Sequence, residues 1–422
     1  MPYSDATTPT DRYLSREIVV ESRDEGLLLA ELKGFVAGEP EGDHVLGLTR
    51  IRLDSLDRFP FDPELDARMR DEAGTTARGA DPSDLDRVLY HLRDRFQRTT
   101  QWVPRMAKIR MYAEGTPYTG GGTGDPQELA AGTEVVIEPR ESYQGPRVRI
   151  GILDGALYRH PGLAGHYLAD SSVFGATDHT DPPATLGHAV HLAGIVARQA
   201  PGADLVIRQA LDASNEVDSW TLAKAMVRFS GEVDLLLTSL GGATWDDKRP
   251  FVLERAESRL DCVHVASAGN WGKVVRPGPY PSPTRDSAIF PAALPGVIAV
   301  GALDDEGGRA DYSQSGPWMS LMAPGAHDGL FLERAALLAR NSHGALVANT
   351  DRKPVNFGGV ARWPGTSASA AYVAGALAAV AMAQGTSLQE AAETVLSGHP
   401  GLAQEIPQVR GIRPYSPDRD RY

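Results

Sequence analysis

Residues 367–383 carry no charge and, apart from Tyr372, are alanine, glycine, valine, leucine, methionine or serine. Wound as a helix, such a run has no polar face, so it has to be enclosed on every side. It is shorter than the roughly 20 residues that cross a bilayer, and the expected enclosure is therefore protein. A chain of 422 residues, 42% of them hydrophobic, can supply that core in two domains or one elaborated domain.

From Arg147 onward the surroundings of this helix can be read. Apolar strands are expected at 148–153, 205–208, 234–238, 262–266 and 297–300, and helices at 188–198, 220–229 and 251–260. Alternation of this kind is the pattern of an α/β fold, a doubly wound parallel sheet with helices on its faces. Ser387-Leu388-Gln389-Glu390 reads as a capping box for a closing helix through Leu396. The proline-rich, charged residues after His399 are expected to form a surface arm.

The earlier part of the chain has a different character. Short strands are expected at 17–21 and 46–53, the latter with Ile51 and Leu53 opposed to Arg50 and Arg52. A helix at 84–97 places Leu85, Val88, Leu89, Leu92 and Phe96 on one stripe, with Ser83 as its cap. Ala107, Ile109, Met111 and Ala113 then alternate with Lys108, Arg110, Tyr112 and Glu114, a half-buried strand. We therefore expect a small α+β domain at 1–114, a linker at 115–146 with one further strand at 134–137, a main domain at 147–399 and a tail at 400–422. The linker opens on the glycine-rich run at 115–124.

Composition removes several function classes. A net charge of −13 argues against a nucleic-acid footprint. The single cysteine, Cys262, excludes an intrachain disulfide, and its apolar neighbours suit an inert buried thiol. Met1-Pro2-Tyr3-Ser4-Asp5 has no basic, apolar leader pattern, so a soluble cytoplasmic protein without a membrane partner is expected. No metal or cofactor is expected. His188 and His191 have a ligand-like spacing, but no third-ligand motif joins them, and His191 reads as a packed structural histidine. Gly120-Gly121-Gly122 lacks the Lys-Ser/Thr of a phosphate loop.

Ligands of an open parallel sheet bind beyond the carboxyl ends of its strands. Asp154 ends the first strand, Ser239 to Gly241 follow another, and Asn270 follows a third. His188 opens a helix, and Ser367 opens the apolar helix after Pro364-Gly365-Thr366. A serine hydroxyl attacks only when an imidazole takes its proton, and that imidazole needs a carboxylate to fix its tautomer. Ser367, His188 and Asp154 fit those three roles. Asn270 suits the oxyanion of a tetrahedral intermediate, beside the backbone N–H of Ser367.

These blocks resemble the subtilisin-like serine proteases: Asp154-Gly155, His188-Ala189-Val190-His191-Leu192-Ala193-Gly194, Ser239-Leu240-Gly241-Gly242, Ala268-Gly269-Asn270 and Gly365-Thr366-Ser367-Ala368-Ser369 occur in the family's order. The resemblance covers roughly 147–399. It implies a catalytic triad of Asp154, His188 and Ser367, with Asn270 as oxyanion donor. It also implies a peptide or protein substrate, bound as an added strand along Ser239, Leu240 and Gly241, with Ala268 and Gly269 at the other side. The chain departs from the family in several places: Asp154-Gly155-Ala156 stands for Asp-Thr-Gly, and Ala368-Ser369-Ala370-Ala371-Tyr372 for Met-Ala-Ser-Pro-His. Ala189-Val190 replace a Gly-Thr pair, and Val190 is expected to tighten the substrate cleft. Ala197 reaches Ala200-Pro201 almost at once, so the calcium loop of many secreted relatives is expected to be missing. Residues 325–359, with Asp328, Glu333, Arg334, Arg340, His343, Asp351, Arg352 and Lys353, form a long excursion expected to border the cleft.

Two functions follow. The first is a serine endopeptidase, controlled or targeted by residues 1–114, which either inhibit it or dock a regulatory protein partner. The second is a catalytically silent peptide-binding pseudoprotease or scaffold. Nothing in the sequence fixes an oligomeric state or the natural substrate.

Overall fold

The computed structural model describes residues 12–76, 82–114, 125–175, 181–212, 215–244, 248–273, 284–340, 346–348 and 352–420. The apolar helix Thr366–Gln384 lies in the middle of the larger unit, its alanines, except Ala383 at its end, buried against helix His188–Gln199 and the sheet. Gly375 permits the close approach of the two helices. A Cβ there would lie 2.5 Å from Gln199 Cβ and 3.1 Å from the Val196 carbonyl oxygen. This is the one described helix long and apolar enough to cross a membrane, and here it is enclosed by protein.

The sheet has eight strands in the order Arg413–Pro414, Leu321–Pro324, Ile298–Leu303, Val263–Ser267, Leu235–Thr238, Arg149–Asp154, Asp204–Gln209 and Tyr167–Ala169. All neighbours are parallel except the first pair. Its two faces separate by alternation. Leu235 and Leu237 pack toward Thr366–Gln384, while Leu236 packs toward helices Ser219–Val227 and Phe251–Glu257. Arg149–Asp154 is earliest in the chain yet central, with Asp204–Gln209 on one side and Leu235–Thr238 on the other. The strand order reverses there, which is the position at which open α/β sheets bind ligands.

The N-terminal strands Tyr13–Glu21, Glu41–Asp43, Leu48–Arg52 and Met106–Glu114 form an antiparallel sheet. One face packs on helices Glu25–Glu31 and Asp84–Thr100. Ser83 and Asp86 cap the latter reciprocally, as a capping box. The other face packs on Ser219–Val227 and Phe251–Glu257, where Leu14, Val19, Leu48 and Ile109 share a core with Trp220, Leu222 and Phe251. Polar contacts rim this contact: Arg255 Nη2 lies 2.6 Å from Glu21 Oε1, and Trp220 Nε1 donates to Glu41 Oε1 at 3.0 Å. Tyr112, placed by alternation on the polar side of its strand, is buried because that side also meets protein.

Three expectations fail. Residues 134–137 form no strand, since no described segment pairs with them; the strand in this stretch is Gln127–Glu128, against Ala361 and Arg362. The residues after His399 are not a surface arm. Leu402, Ile406 and Val409 enter the main core, and Arg413–Pro414 extends the sheet. Val190 faces the core with no exposed surface, so its bulk is spent on packing and does not narrow a cleft. In the 325–359 excursion, Ala326–Leu330 pairs with Val360–Pro364, and Phe331, Leu332, Phe357 and Trp363 form a small core of their own. His343 and Asp351 lie outside the described residues, as does the glycine-rich run at 115–124.

Candidate active site

Asp154 is the last residue of its strand and is 1% exposed. Its Oδ1 accepts the Gly155 N–H at 2.7 Å. His188 is the first residue of helix His188–Gln199, and its Nδ1 lies 2.9 Å and 3.0 Å from the two Asp154 oxygens. A carboxylate only accepts, so Nδ1 carries the proton and the neutral ring presents a lone pair at Nε2. The carboxylate thereby selects the tautomer in which Nε2 is a base.

Ser367 is the second residue of Thr366–Gln384, with its Oγ 3.4 Å from the Ser239 carbonyl oxygen. Asn270 is oriented by the residue before it in that helix. Its Oδ1 accepts both the Thr366 N–H, at 3.0 Å, and the Thr366 hydroxyl, at 2.9 Å. The same hydroxyl accepts the Gly269 N–H at 3.1 Å. With Oδ1 bound twice, the donor end of the amide is Nδ2. Thr366 is a site residue that the sequence reading left without a role, although it stands inside the Gly-Thr-Ser motif.

Ser239 follows strand Leu235–Thr238 and leads into Leu240–Ala243. That short strand is already paired. Leu240 lies opposite Glu114 and Gly241 opposite Ala113, antiparallel, so Met106–Glu114 occupies the edge expected to receive a peptide. On its other side the same strand pairs with Glu216–Asp218, with Tyr112 opposite Val217. The register runs toward Ser239, and so toward Ser367. Tyr112 packs against Gly242, where a Cβ would come 3.0 Å from the ring. Burial holds its phenol well above the usual range, with nearby Arg110 a smaller opposing influence.

Ala268 and Gly269 form the facing wall. The Ala268 N–H donates to the Val300 carbonyl, and Gly269 has φ +101°, a conformation that favours glycine. Ile289 fills the space between the two walls: a Cβ on Gly241 would lie 2.9 Å from its Cγ2, and one on Gly269 3.1 Å from its Cγ1. His191 is fully packed, with Nδ1 donating to the Leu330 carbonyl at 3.3 Å. Burial, aided by His327 and His188, pushes its pKa down to about 3. A residue with no sequence signal, Trp363, lies edge-to-face with His188 at 5.5 Å between ring centroids.

The chain is similar to several known proteins. The Subtilase family matches residues 145–397. Subtilisin E of Bacillus subtilis (strain 168) is 28% identical over 196 residues, which are 44% of this chain and 48% of that protein. Thermitase of Thermoactinomyces vulgaris is 26% identical over 232 residues, 51% of this chain and 74% of thermitase. Among solved structures, the prenylagaramide maturation protease PagA aligns at TM-score 0.45 and 20% identity, covering 68% of this chain and 88% of that one. The chain thus spans about half the length of the first curated relatives it matches. Its sheet, its motif order and a match over more than half its length show that the chain belongs to the subtilase family.

Proposed function

We propose that the chain is a serine endopeptidase acting through Asp154, His188 and Ser367. The observation that carries this reading is the buried Asp154–His188 pair, which leaves Nε2 as a base on the rim that also holds Ser367 and Asn270. In this mechanism Ser367 Oγ attacks the scissile carbonyl as His188 Nε2 removes its proton. Asp154 stabilises the imidazolium that forms. The carbonyl oxygen, now an anion, is met by Asn270 Nδ2–H and the Ser367 N–H at the start of its helix. His188 returns the proton to the leaving amine, and water repeats the sequence on the acyl-enzyme. Removing a donor such as Asn270 costs about 10²–10³ in kcat, the size measured in subtilisin itself.

We further propose that residues 1–114 restrain the enzyme, because Met106–Glu114 pairs with Leu240 and Gly241 where a substrate strand would add. Self-restraint also fits a cytoplasmic protease, which would meet many unintended substrates. One experiment tests both readings. A serine-directed phosphonate is expected to label Ser367 slowly in the full chain and faster in a chain lacking residues 1–114, with Ser367→Ala unlabelled. Failure to label either form would favour the peptide-binding pseudoprotease. Equal rates would leave the protease but remove the restraint, and would favour a partner-docking role for the N-terminal domain.

A further inference from the structure

We propose that Trp363 is a positioning residue for His188, and that the 325–359 excursion serves as its brace. This rests on the reading of Asp154, His188 and Ser367 as a triad. Asp154 holds the imidazole at Nδ1, and that contact by itself does not set the tilt of the ring plane. Trp363 packs edge-to-face on the ring and limits that tilt. It is 4% exposed, and its ring plane lies at 85° to that of His188. Behind it stands Phe331, also edge-to-face at 5.4 Å, and behind that Phe357 at 4.8 Å.

The brace also holds the backbone that carries His188. A Cβ at Gly187 would lie 2.1 Å from the Phe331 ring, so the aromatic group rests directly on the peptide that precedes the histidine. One turn earlier, Ala184 N–H donates to the Ala336 carbonyl at 3.0 Å, and Ala336 N–H donates to the Pro182 carbonyl at 2.9 Å. The entry to helix His188–Gln199 is therefore fixed by the excursion through both backbone and side chains. Buried aromatic pairs of this geometry are directional, so losing the ring frees the imidazole to tilt without unfolding the helix below it.

The test compares Trp363→Leu, Trp363→Phe and Phe331→Leu in the full chain, hydrolysing p-nitrophenyl acetate, with active sites counted by phosphonate titration. Misplacing a catalytic group by about 1 Å costs up to about 10²-fold. For Trp363→Leu we expect kcat per titrated site to fall about ten- to a hundredfold with KM within about twofold. Trp363→Phe, which keeps an aromatic edge, should recover to within about threefold of the natural chain, and Phe331→Leu should show a smaller loss of the same kind. Unchanged kcat per site in Trp363→Leu, equal losses in the Leu and Phe variants, or a change confined to KM would overturn the brace. Should Trp363→Leu fail to fold, normal kcat per site in Phe331→Leu would overturn it instead. Persistent hydrolysis in His188→Ala would sink the triad reading and so is told apart from failure of the brace.

Discussion

Two elements flank the rim, and they hold it by different physics. Met106–Glu114 meets it by backbone pairing with Leu240 and Gly241, whereas the excursion and the strand that follows it meet it through the buried rings of Phe331 and Trp363. Backbone pairing is indifferent to sequence, so another extended peptide can compete for the same edge. Ring packing needs a particular shape, and no substrate supplies it. The first contact is suited to being exchanged and the second to being permanent. In one rim, a backbone-paired strand lies beside Ser367 and a wall of packed rings lies behind His188.

Tyr112 offers the largest way to break that contrast. Its ring adds a side-chain anchor beside the backbone pairing, lying in the core shared with Trp220, Leu222 and Leu240. Truncating a buried aromatic residue costs about 3–5 kcal/mol. Tyr112→Ala is expected to release the strand and speed phosphonate labelling of Ser367 in the full chain by about 10²-fold or more. Tyr112→Phe should leave the rate unchanged or lower it, because the buried hydroxyl has no hydrogen-bond partner among the described residues. If Tyr112→Ala labels no faster than the natural chain, the strand is not what limits access.

Acid should act on the permanent side. His327 lies in the strand that opens the excursion, stacked on Tyr372 at 4.8 Å, and burial pushes its pKa down to about 4. His191, donating to Leu330 in the same strand, sits at about 3. Both are neutral when folded and have an ordinary value near 6.5 when unfolded, so between these limits the unfolded chain binds more protons. Stability is then complete above about pH 6.5 and falls as pH drops toward 4 and 3, by up to about 1.4 kcal/mol per unit for each histidine. Melting temperature should decline between pH 7.5 and 5, and His327→Gln should flatten that decline. A curve with the same slope in both proteins would exclude His327 as a source.

The parts of the site that could be read in the sequence are those set by short local motifs. Asp154 ends an apolar strand, His188 and Ser367 open helices, and Asn270 follows Ala268-Gly269. Pairings between distant backbones leave no such mark, and for that reason the meeting of Met106–Glu114 with Leu240 was not readable. Alternation misled in two ways. Tyr112 counted as polar-facing because a single strand cannot reveal that both its sides are covered. Val135 and Ile137 do pack on the core while Val136 is 64% exposed, so the alternation at 134–137 is real, but it is that of an extended segment without a partner. Leu402, Ile406 and Val409 carry a helical spacing that the surrounding prolines obscured. Trp363 gave no signal because its meaning depends on Phe331 and His188 together.

The smallest expected effect separates two ion pairs on the exchangeable side. Arg255 reaches from helix Phe251–Glu257 to both Glu21 Oε1, at 2.6 Å, and the Leu46 carbonyl, at 3.2 Å, and the Glu21 side chain is only 9% exposed. Lys224 reaches Glu41 at 2.6 Å, but 43% of that carboxylate side chain faces solvent. Exposed pairs contribute about 0–1 kcal/mol and are screened by salt, whereas a part-buried guanidinium bound at two points is worth somewhat more. Arg255→Gln should therefore speed labelling of Ser367 by several-fold, and Lys224→Gln by less than about twofold. Raising the salt concentration should narrow the second difference more than the first. Equal responses from both variants would mean that the apolar face alone, with Tyr112 at its end, determines how long the strand stays on the rim.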